Sequence, residues 1–155
     1  MTLAGRARDY KELDLTAKER RPAGRGIHPF HALLLSGTFP LFLGAALSDY
    51  AYLTSYQIEW SIFSSWLIIG GSLFTGLAAI CALLGIFVSD RKGVYAIYLL
   101  LLLIVTATGV LNALIHARDA WAMMPGGFIL SIVAAVLGCI VTLLGFSRIG
   151  VGARS

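Results

Sequence analysis

The chain has 155 residues, of which 58% are hydrophobic and only 13% are charged, and its mean hydropathy is +0.84. This composition excludes an ordinary water-soluble domain and indicates that the lipid bilayer is the solvent. The net charge of +4 resides mainly in a basic N-terminal segment. We interpret that segment as a solvated tail, and no nucleic-acid partner is predicted.

Residues 1–27 carry seven Lys or Arg residues, four Asp or Glu residues and few apolar side chains. Turn-forming residues follow this charged stretch, where a secretory signal would have a short apolar region and a cleavage site. A secretory signal is therefore not predicted. Because a segment of this composition buries no core, we expect a mobile basic cytoplasmic tail that is held weakly to anionic lipid.

Four apolar stretches follow, each long enough to cross a hydrocarbon core about 30 Å thick at a rise of about 1.5 Å per helical residue. They cover residues 30–47, 61–88, 94–115 and 128–146. We therefore predict an all-α membrane protein in which four transmembrane helices form a compact bundle. Residues 28–147 are the expected membrane domain, and residues 148–155 are a short cytoplasmic tail.

Lys and Arg residues resist translocation, so their distribution predicts how the helices are oriented in the membrane. Eleven of the twelve lie in the two tails and the second connection, whereas Arg118 is alone in the third connection and the first connection has none. Both termini are therefore expected in the cytoplasm of a bacterium, with the helices in its inner membrane. The first and third connections then face the outer side.

Small residues recur at steps of three, four or seven positions on three of the four stretches, which is typical of faces where membrane helices pack closely. These residues are Gly37, Pro40, Gly44 and Ser48; Ser65, Ser72, Gly76 and Ala79; and Ser131, Ala135, Gly138, Thr142 and Gly145. Cys81 and Cys139 lie inside apolar stretches and lack a metal-binding spacing. We expect them to be packing residues and not a disulfide.

The stretch NALIHARDAW, residues 112–121, ends the third apolar run with polar side chains at helical spacing. Gly109, Asn112, His116 and Asp119 share one face if the helix continues past the apolar run. Asn112 lies about one turn inside the interface, where hydrogen bonding to another helix is favoured over ligand binding. The end of the run is either a working site or only a solvated helix end.

Asp49 is expected to end the first helix, which brings it to the same outer end as this stretch. We predict that His116 meets Asp49 there and that the carboxylate orients the imidazole. Arg118 projects away by about 200° of helical rotation, toward lipid headgroups or a partner. Asp49, Asn112, His116, Arg118 and Asp119 together form the predicted outer-end cluster.

Aromatic side chains near the same end are predicted to anchor the helices at the membrane interface. They are Tyr50, Trp60, Trp66 and Trp121. The outer face also collects Asp49, Glu59 and Asp119, with Arg118 as their obvious counter-ion. This charge pattern indicates either a salt-bridged cap over the bundle or a docking surface for a basic partner.

At the inner end, the stretch GIHPFH places Pro29 at the first helical position. His28, His31 and Asp90 could share a face there and hold a metal ion such as Zn²⁺ or Fe²⁺, although hydrogen-bonded interface histidines are the favoured interpretation. His116 is expected about 30 Å away, across the apolar core. A haem ligated by one histidine from each end is therefore excluded for this topology.

Three stretches of the chain carry a family likeness: HPFHALLLSGTFPLFLGAALSDYAYLTSYQIEWSIFSSWLIIGG, LNALIHARDAW and PGGFILS. They resemble the predicted small membrane proteins grouped as domain of unknown function 2231, over residues 27–146. The resemblance implies a four-helix membrane domain whose relatives occur fused or adjacent to sorbosone-type quinoprotein dehydrogenases or Rieske-type domains. The family-like positions are His28, Pro29, His31, Asp49, Tyr50, Thr54, Trp60, Trp66, Asn112, His116, Arg118, Asp119 and Pro125.

No GxSxG, Walker, HExxH, CxxCH or GxGxxG motif occurs in a context that would carry its mechanism, so the chain is expected to be non-catalytic on its own. The favoured function is a membrane subunit that anchors or docks a periplasmic oxidoreductase and relays the electrons of that enzyme toward quinone. The alternatives are a haem- or metal-binding membrane redox protein and a small transporter or proton-handling protein. Haem b, quinone and a metal ion are left open as cofactors.

A reporter fused after Ser155 tests the predicted orientation. Because the charge distribution predicts a cytoplasmic C-terminus, a reporter that works only in the cytoplasm should be active and one that works only in the periplasm should be silent. The measurement is the activity of both fusions at matched abundance. The opposite pattern would contradict the assignment of inner and outer sides.

Overall fold

The computed structural model of the chain describes residues 29–88, 92–118 and 120–150. Four long α-helices account for most of them: α1 (Pro29–Ser55), α2 (Ile58–Val88), α3 (Lys92–His116) and α4 (Gly126–Leu144). A single helical turn, Ala120–Met123, lies between α3 and α4, and a π-helical segment, Gly145–Gly150, follows α4. No strand occurs in this described part of the chain.

All four helices are long and apolar enough to cross a membrane. Helix α1 packs mainly on α2 and α4, and α3 packs on the same two helices, so α1 and α3 lie on one diagonal of a four-helix bundle. We call the end that carries the connections at residues 56–57 and 117–125 the Asp49 end, and the opposite end the Pro29 end. The predicted all-α bundle with four spans is confirmed, whereas its orientation in the membrane stays a prediction.

Helix α1 extends further than the apolar stretch indicates. The expectation that Asp49 ends this helix is wrong, because α1 continues to Ser55. The hydroxyls of Thr54 and Ser55 donate to backbone carbonyls of the preceding turn, which lets polar residues remain helical. The chain leaves the helix at Tyr56, whose φ of 58° lies in the left-handed region. Asp49 is therefore held inside a helix.

The buried faces of α3 and α4 follow the predicted stripes. On α3 the buried residues recur every three or four positions and end with Gly109, Asn112 and His116. On α4 the small-residue stripe is the packing face, where Ser131 and Gly138 are buried. These two faces meet at the Asp49 end, and each brings polar side chains to the interior.

Two other predicted faces are partly wrong. The buried face of α2 includes Ser64 and Thr75, whereas Ser65 and Ser72 of the predicted stripe are only half-buried. On α1, Pro40 is exposed. One residue step turns a helix by about 100°, and the side of these helices that faces away from the bundle is also apolar. Small residues alone therefore locate a face only to within about one residue step.

Phe42 fills the centre of the bundle and is fully buried. It packs against a glycine on each of the other three helices: a β-carbon at Gly71, Gly109 or Gly138 would lie 2.9, 3.1 or 3.3 Å, respectively, from the Phe42 ring. A side chain at Gly71 would force the ring to shift, and one at Gly109 or Gly138 would require the ring to give by a few tenths of an ångström. The large aromatic ring on α1 and the absence of side chains opposite it together set how closely the four helices approach.

The Gly71→Ala substitution tests this packing, with Gly70→Ala as the matched control on the same helix. We expect Gly71→Ala to lower the free energy of unfolding by about 1 to 3 kcal/mol, because the added methyl group overlaps the Phe42 ring. A β-carbon at Gly70 would lie no closer than 3.6 Å to Leu41, which is an ordinary contact. Unfolding in SDS, followed by circular dichroism, measures both variants.

Adding Phe42→Leu to Gly71→Ala should recover part of the loss, because the smaller side chain leaves room for the methyl group. Equal stability of Gly71→Ala and Gly70→Ala would contradict the proposed close packing around Phe42.

Candidate functional site

A carboxylate and an imidazole meet inside the bundle near the Asp49 end. Asp49 lies on α1 and His116 is the last residue of α3, and the His116 Nε2 atom is 2.9 Å from the Asp49 Oδ1 atom. The side chain of Asp49 is 0% exposed and that of His116 is 1% exposed. The contact expected between these residues is thus present, and it lies in the interior of the bundle rather than on its surface.

The pair has a polar neighbour on each of the two remaining helices. Ser131 of α4 donates its hydroxyl hydrogen to Asp49 Oδ2. The Ser64 hydroxyl of α2 lies 3.4 Å from His116 Nε2 and donates to the Ala45 carbonyl. Because a serine hydroxyl has a single hydrogen, the contact between Ser64 and Nε2 is a hydrogen bond only when Nε2 supplies the hydrogen. Each of the four helices therefore contributes one polar side chain.

Asn112 lies one turn before His116 and completes this group. The Asn112 side-chain amide is 2.7 Å from the Ser131 hydroxyl oxygen, and the Asn112 backbone carbonyl oxygen is 3.0 Å from His116 Nδ1. With the amide turned by 180°, its nitrogen lies 3.2 Å from both the Gly127 carbonyl oxygen and His116 Nδ1, and its oxygen faces Ser131. Asn112 links α3 to α4 in both orientations, which is the interhelical contact expected for it.

The five side chains of Asp49, Ser64, Asn112, His116 and Ser131 are called the buried polar cluster below. Gly127, at the start of α4, lets the backbone approach this cluster. A β-carbon at Gly127 would lie 2.8 Å from the His116 Cε1 atom, so any larger residue would push the imidazole away from its partners. The first turn of α4 therefore forms one wall of the imidazole site.

The buried polar cluster has the chemistry of a proton site. Asp49 and His116 are both ionisable, they share a short hydrogen bond, and every oxygen and nitrogen of the two side chains has a polar neighbour. Burial makes an isolated charge costly, so the two groups are most stable when they are ionised together or neutral together. The arrangement can thus hold a proton, and can move it by a small shift.

The structure gives different positions to the other predicted cluster members. Arg118 is exposed and follows the end of α3, with its backbone N–H bonded to the Ile115 carbonyl. It therefore lies outside the buried polar cluster, and because α3 ends at His116, its predicted direction toward lipid headgroups or a partner stays a prediction. Asp119 lies outside the described residues, and α3 ends at His116, before that position.

The predicted interface aromatics are on the surface where they are described. Tyr50, Trp60 and Trp66 are 57%, 40% and 69% exposed. The Tyr50 ring also packs beside Phe128 of α4, with centroids 6.2 Å apart. The side chain of Trp121 lies outside the described residues. That these aromatic rings anchor the helices at the membrane interface stays a prediction.

His31 lies at the Pro29 end and forms a separate contact. Its Nε2 atom is 3.2 Å from the Tyr98 hydroxyl, and its buried Nδ1 atom has no hydrogen-bond partner in the described part of the chain. His31 and Asp49 are 18 residues apart on α1, or about 27 Å along a helix, and Asp49 contacts His116. The geometry therefore does not allow His31 and His116 to share one haem iron.

Of the three residues expected to form a metal site at the Pro29 end, only His31 is described, because His28 and Asp90 lie outside the described residues. Among the described residues, no group of three His, Cys, Asp or Glu side chains has the arrangement of a metal site. The free thiols of Cys81 and Cys139 are half-buried in different helices. Cys139 lines an apolar groove of about 360 Å³ between α1 and α4, which presents no polar group that could position a ligand.

Sequence reasoning missed three contributors to the site. Ser131 was assigned only a packing role, and neither Ser64 nor Gly127 was singled out. Ser64 had a usable signal, since it is four residues before the buried Ile68 and seven before Gly71. The hydrogen bond from Ser131 to Asp49 depends on how α4 is rotated against α1, which spacing along one helix does not contain.

Residues 27–149 match the profile of a family described as predicted membrane protein (DUF2231). The resemblance found in the sequence is thereby confirmed. No curated protein and no solved structure matches the chain. The family description gives a membrane location and no activity.

The Gly127→Ala substitution tests the wall beside the imidazole, and Gly126→Ala is its matched control because a β-carbon there meets nothing within 4 Å. Both changes gain similar helix propensity, so their difference isolates the contact with His116. We expect Gly127→Ala to be less stable than the control by about 1 to 3 kcal/mol and to shift the His116 ring resonances in NMR spectra. Identical ring resonances in both variants would contradict the contact.

Proposed function

The chain belongs to the DUF2231 family of predicted membrane proteins, and from the geometry of its buried pair we propose that it is a proton-handling membrane protein. In this proposal Asp49 and His116 are the groups that take up and release the proton. The observation that carries the proposal is the 2.9 Å contact between two ionisable side chains that are buried inside a membrane-spanning bundle.

A purely structural role is the simplest alternative, and three features favour a proton site over it. Ionisable residues within membrane helices are costly and are often part of proton pathways. A pair that served only to join helices could be replaced by apolar side chains at little or no cost in stability. The pair is also bonded to hydroxyl groups of Ser64 and Ser131, which can both donate and accept hydrogen bonds.

The position of the pair supports proton exchange at one end of the bundle. His116 is the last residue of α3, and the next two residues, Ala117 and Arg118, are exposed. In this proposal the proton exchanges between the imidazole and the solvent or headgroup region at the Asp49 end, next to these two exposed residues. Because Lys and Arg residues are concentrated in the tails and the second connection, we also propose that the Asp49 end lies on the outer side of a bacterial inner membrane.

Proton flux into liposomes tests the proposal directly. The purified chain is reconstituted with a pH-sensitive dye inside the vesicles, and a pH gradient is imposed. We expect flux above that of empty vesicles for the native chain, and a fall to the level of empty vesicles for Asp49→Asn and for His116→Gln. Each substitution removes one of the two groups that exchange the proton.

Thr75→Val is the matched control, because Thr75 is a buried polar residue whose hydroxyl bonds only to carbonyls of its own helix. This variant should retain native flux. Thermal unfolding of every variant in detergent separates loss of flux from loss of fold. Native flux in folded Asp49→Asn and His116→Gln would contradict the proposal.

A second proposal is that the chain is a docking subunit for a periplasmic oxidoreductase. The chain then relays the electrons of that enzyme toward quinone. This proposal is supported by the connection at the Asp49 end, where all residues from 54 to 60 are exposed and Glu59 provides a negative charge. Asp49 gives this role no support, because its carboxylate is buried. The partner in this proposal is a protein with a basic patch, held by charge complementarity.

Co-purification from native membranes tests the docking proposal. A periplasmic dehydrogenase should be recovered with the native chain and lost with Glu59→Lys, since the reversed charge repels a basic patch. Glu59→Gln should give intermediate recovery. Equal recovery of the dehydrogenase with all three chains, or with none, would contradict docking through this connection.

A further inference from the structure

Four side chains of the buried polar cluster close a ring of hydrogen bonds. His116 Nε2 contacts Asp49 Oδ1, and the other Asp49 oxygen, Oδ2, contacts the Ser131 hydroxyl. Ser131 contacts the Asn112 amide, and the same amide lies 3.2 Å from His116 Nδ1. The ring therefore returns to the imidazole where it started. The imidazole, carboxyl and hydroxyl groups can change between donor and acceptor when hydrogens move, whereas the amide presents a different role only when it turns.

One arrangement of the ring has the amide nitrogen of Asn112 toward the imidazole. The Gly127 carbonyl, 3.2 Å away, can only accept, so it favours the nitrogen at this position. The same nitrogen then donates to His116 Nδ1, which must carry no hydrogen. The amide oxygen accepts from Ser131, whose only hydrogen is thereby used. The hydrogen between Ser131 and Asp49 Oδ2 then comes from a protonated Asp49 carboxyl, and both ionisable groups are neutral.

The opposite arrangement has the amide oxygen toward the imidazole. His116 Nδ1 now carries a hydrogen and donates it to the backbone carbonyl of Asn112, at 3.0 Å. The amide nitrogen donates to Ser131, and the Ser131 hydroxyl donates to Asp49 Oδ2. With hydrogens on both imidazole nitrogens and none on the carboxylate, His116 and Asp49 form an ion pair.

The two arrangements contain the same number of hydrogens. In the change from the second to the first, the Nδ1–H bond of His116 breaks, an O–H bond forms on Asp49 Oδ2, the Ser131 hydroxyl turns, and the Asn112 amide rotates by 180°. In neither arrangement do both backbone carbonyls gain a hydrogen bond from a side chain in addition to their helical ones, because the carbonyl of Gly127 favours the first and that of Asn112 favours the second. The ring thus has two states of opposite hydrogen-bond direction.

We propose that Asn112 is a positioning residue whose amide orientation is coupled to the hydrogen on His116 Nδ1. The coupling sets when the Asp49–His116 pair is neutral and when it is ionised. This inference deepens the proposed proton site and rests on it for its functional meaning, although the coupling itself is a property of the ring. A residue that only joined α3 to α4 would keep one amide orientation throughout.

The surroundings of the imidazole leave few other groups that could control its hydrogens. Among the described residues, the side chains within hydrogen-bond distance of its Nε2 atom are Asp49 from α1 and Ser64 from α2. On the side facing α4 it meets the backbone at Gly127 and the Asn112 amide. Asp49 is the one titratable and charged group in this set.

NMR spectroscopy of the ¹⁵N-labelled chain in nanodiscs measures both the hydrogen on His116 Nδ1 and the orientation of the Asn112 amide. The ¹⁵N shift of His116 Nδ1 reports whether this nitrogen carries a hydrogen. A scalar coupling between Asn112 Nδ2 and His116 Nδ1 reports an N–H···N hydrogen bond. Across a pH series, we expect this scalar coupling whenever Nδ1 lacks a hydrogen, and contacts from the amide hydrogens to Ser131 whenever Nδ1 carries one.

The proposal is overturned if, at any pH, the ¹⁵N shift of His116 Nδ1 and the orientation of the Asn112 amide do not correspond as expected. One such result is a protonated Nδ1 with the amide hydrogens toward Gly127, and the other is a bare Nδ1 with the amide hydrogens toward Ser131. A single amide orientation together with a single state of Nδ1 across the whole pH series would also overturn the proposal, because that is the behaviour of a residue that only joins α3 to α4.

The Ser131→Ala substitution provides a second, independent test of the role of Asn112. Without the hydroxyl, an amide nitrogen pointing at position 131 has no acceptor, whereas an amide oxygen there keeps the backbone N–H at 3.3 Å. We therefore expect Ser131→Ala to hold the amide nitrogen toward Gly127 and to leave His116 Nδ1 bare across the pH series. Ser131→Thr, which restores a hydroxyl, should regain the native pattern. The reverse orientation in folded Ser131→Ala would overturn the proposal.

Failure of this inference can be distinguished from failure of the proposed function. Loss of the correlation with normal proton flux would leave the Asp49–His116 site in place and remove only the role of Asn112. An intact correlation without any flux would leave the coupling as a structural property and contradict proton handling.

Discussion

The constraint on which the structure depends is the burial of a carboxylate in the interior of an apolar bundle. Asp49 is fully buried on α1, so its two oxygens must be bonded by groups from other helices. His116 of α3 and Ser131 of α4 supply those bonds. Lipid tails give apolar helices little reason to choose one rotation or depth over another, whereas these hydrogen bonds exist in only one register. The polar contacts at the Asp49 end thus specify one rotation and depth for each helix, whereas apolar contacts alone would allow several.

Packing at the centre of the bundle makes this register sterically feasible. Phe42 fills the space that glycines leave on the three facing helices, and Gly127 lets the start of α4 reach the imidazole ring. Phe42 and Asp49 are two turns apart on α1, on the same side of the helix. Close approach at Phe42 therefore carries over to the polar cluster, where hydrogen bonds require the helices to be equally near. Glycine packing and polar hydrogen bonding therefore depend on each other. The glycines set the distance between the helices, and the hydrogen bonds set their register.

Much of this architecture follows from the sequence, and the gaps have identifiable causes. Length and hydropathy predict the four spans because a helix must match the membrane thickness, and the three- and four-residue spacing on α3 predicts that Asn112 and His116 share a face. The end of α1 was misplaced because the hydroxyls of Thr54 and Ser55 bond back to the helix and keep it intact beyond the apolar run. The rotation of α2 was missed because its surface is apolar all round. Contacts between helices, such as Ser131 with Asp49, depend on pairwise rotation and cannot be read from the periodicity of a single helix.

Asp49 and His116 are expected to act as a unit, and a double-mutant cycle with Asp49→Ala, His116→Ala and the double variant measures the coupling between them. The free energy of unfolding of the four chains is measured in the same detergent. If the residues form the buried bond described here, each single change leaves a polar group without its partner, and the double variant should be more stable than the sum of the single effects predicts. The expected coupling lies between about 0.5 and 3 kcal/mol. Effects that add to within about 0.3 kcal/mol would contradict the account, because they would mean that the two side chains do not depend on each other.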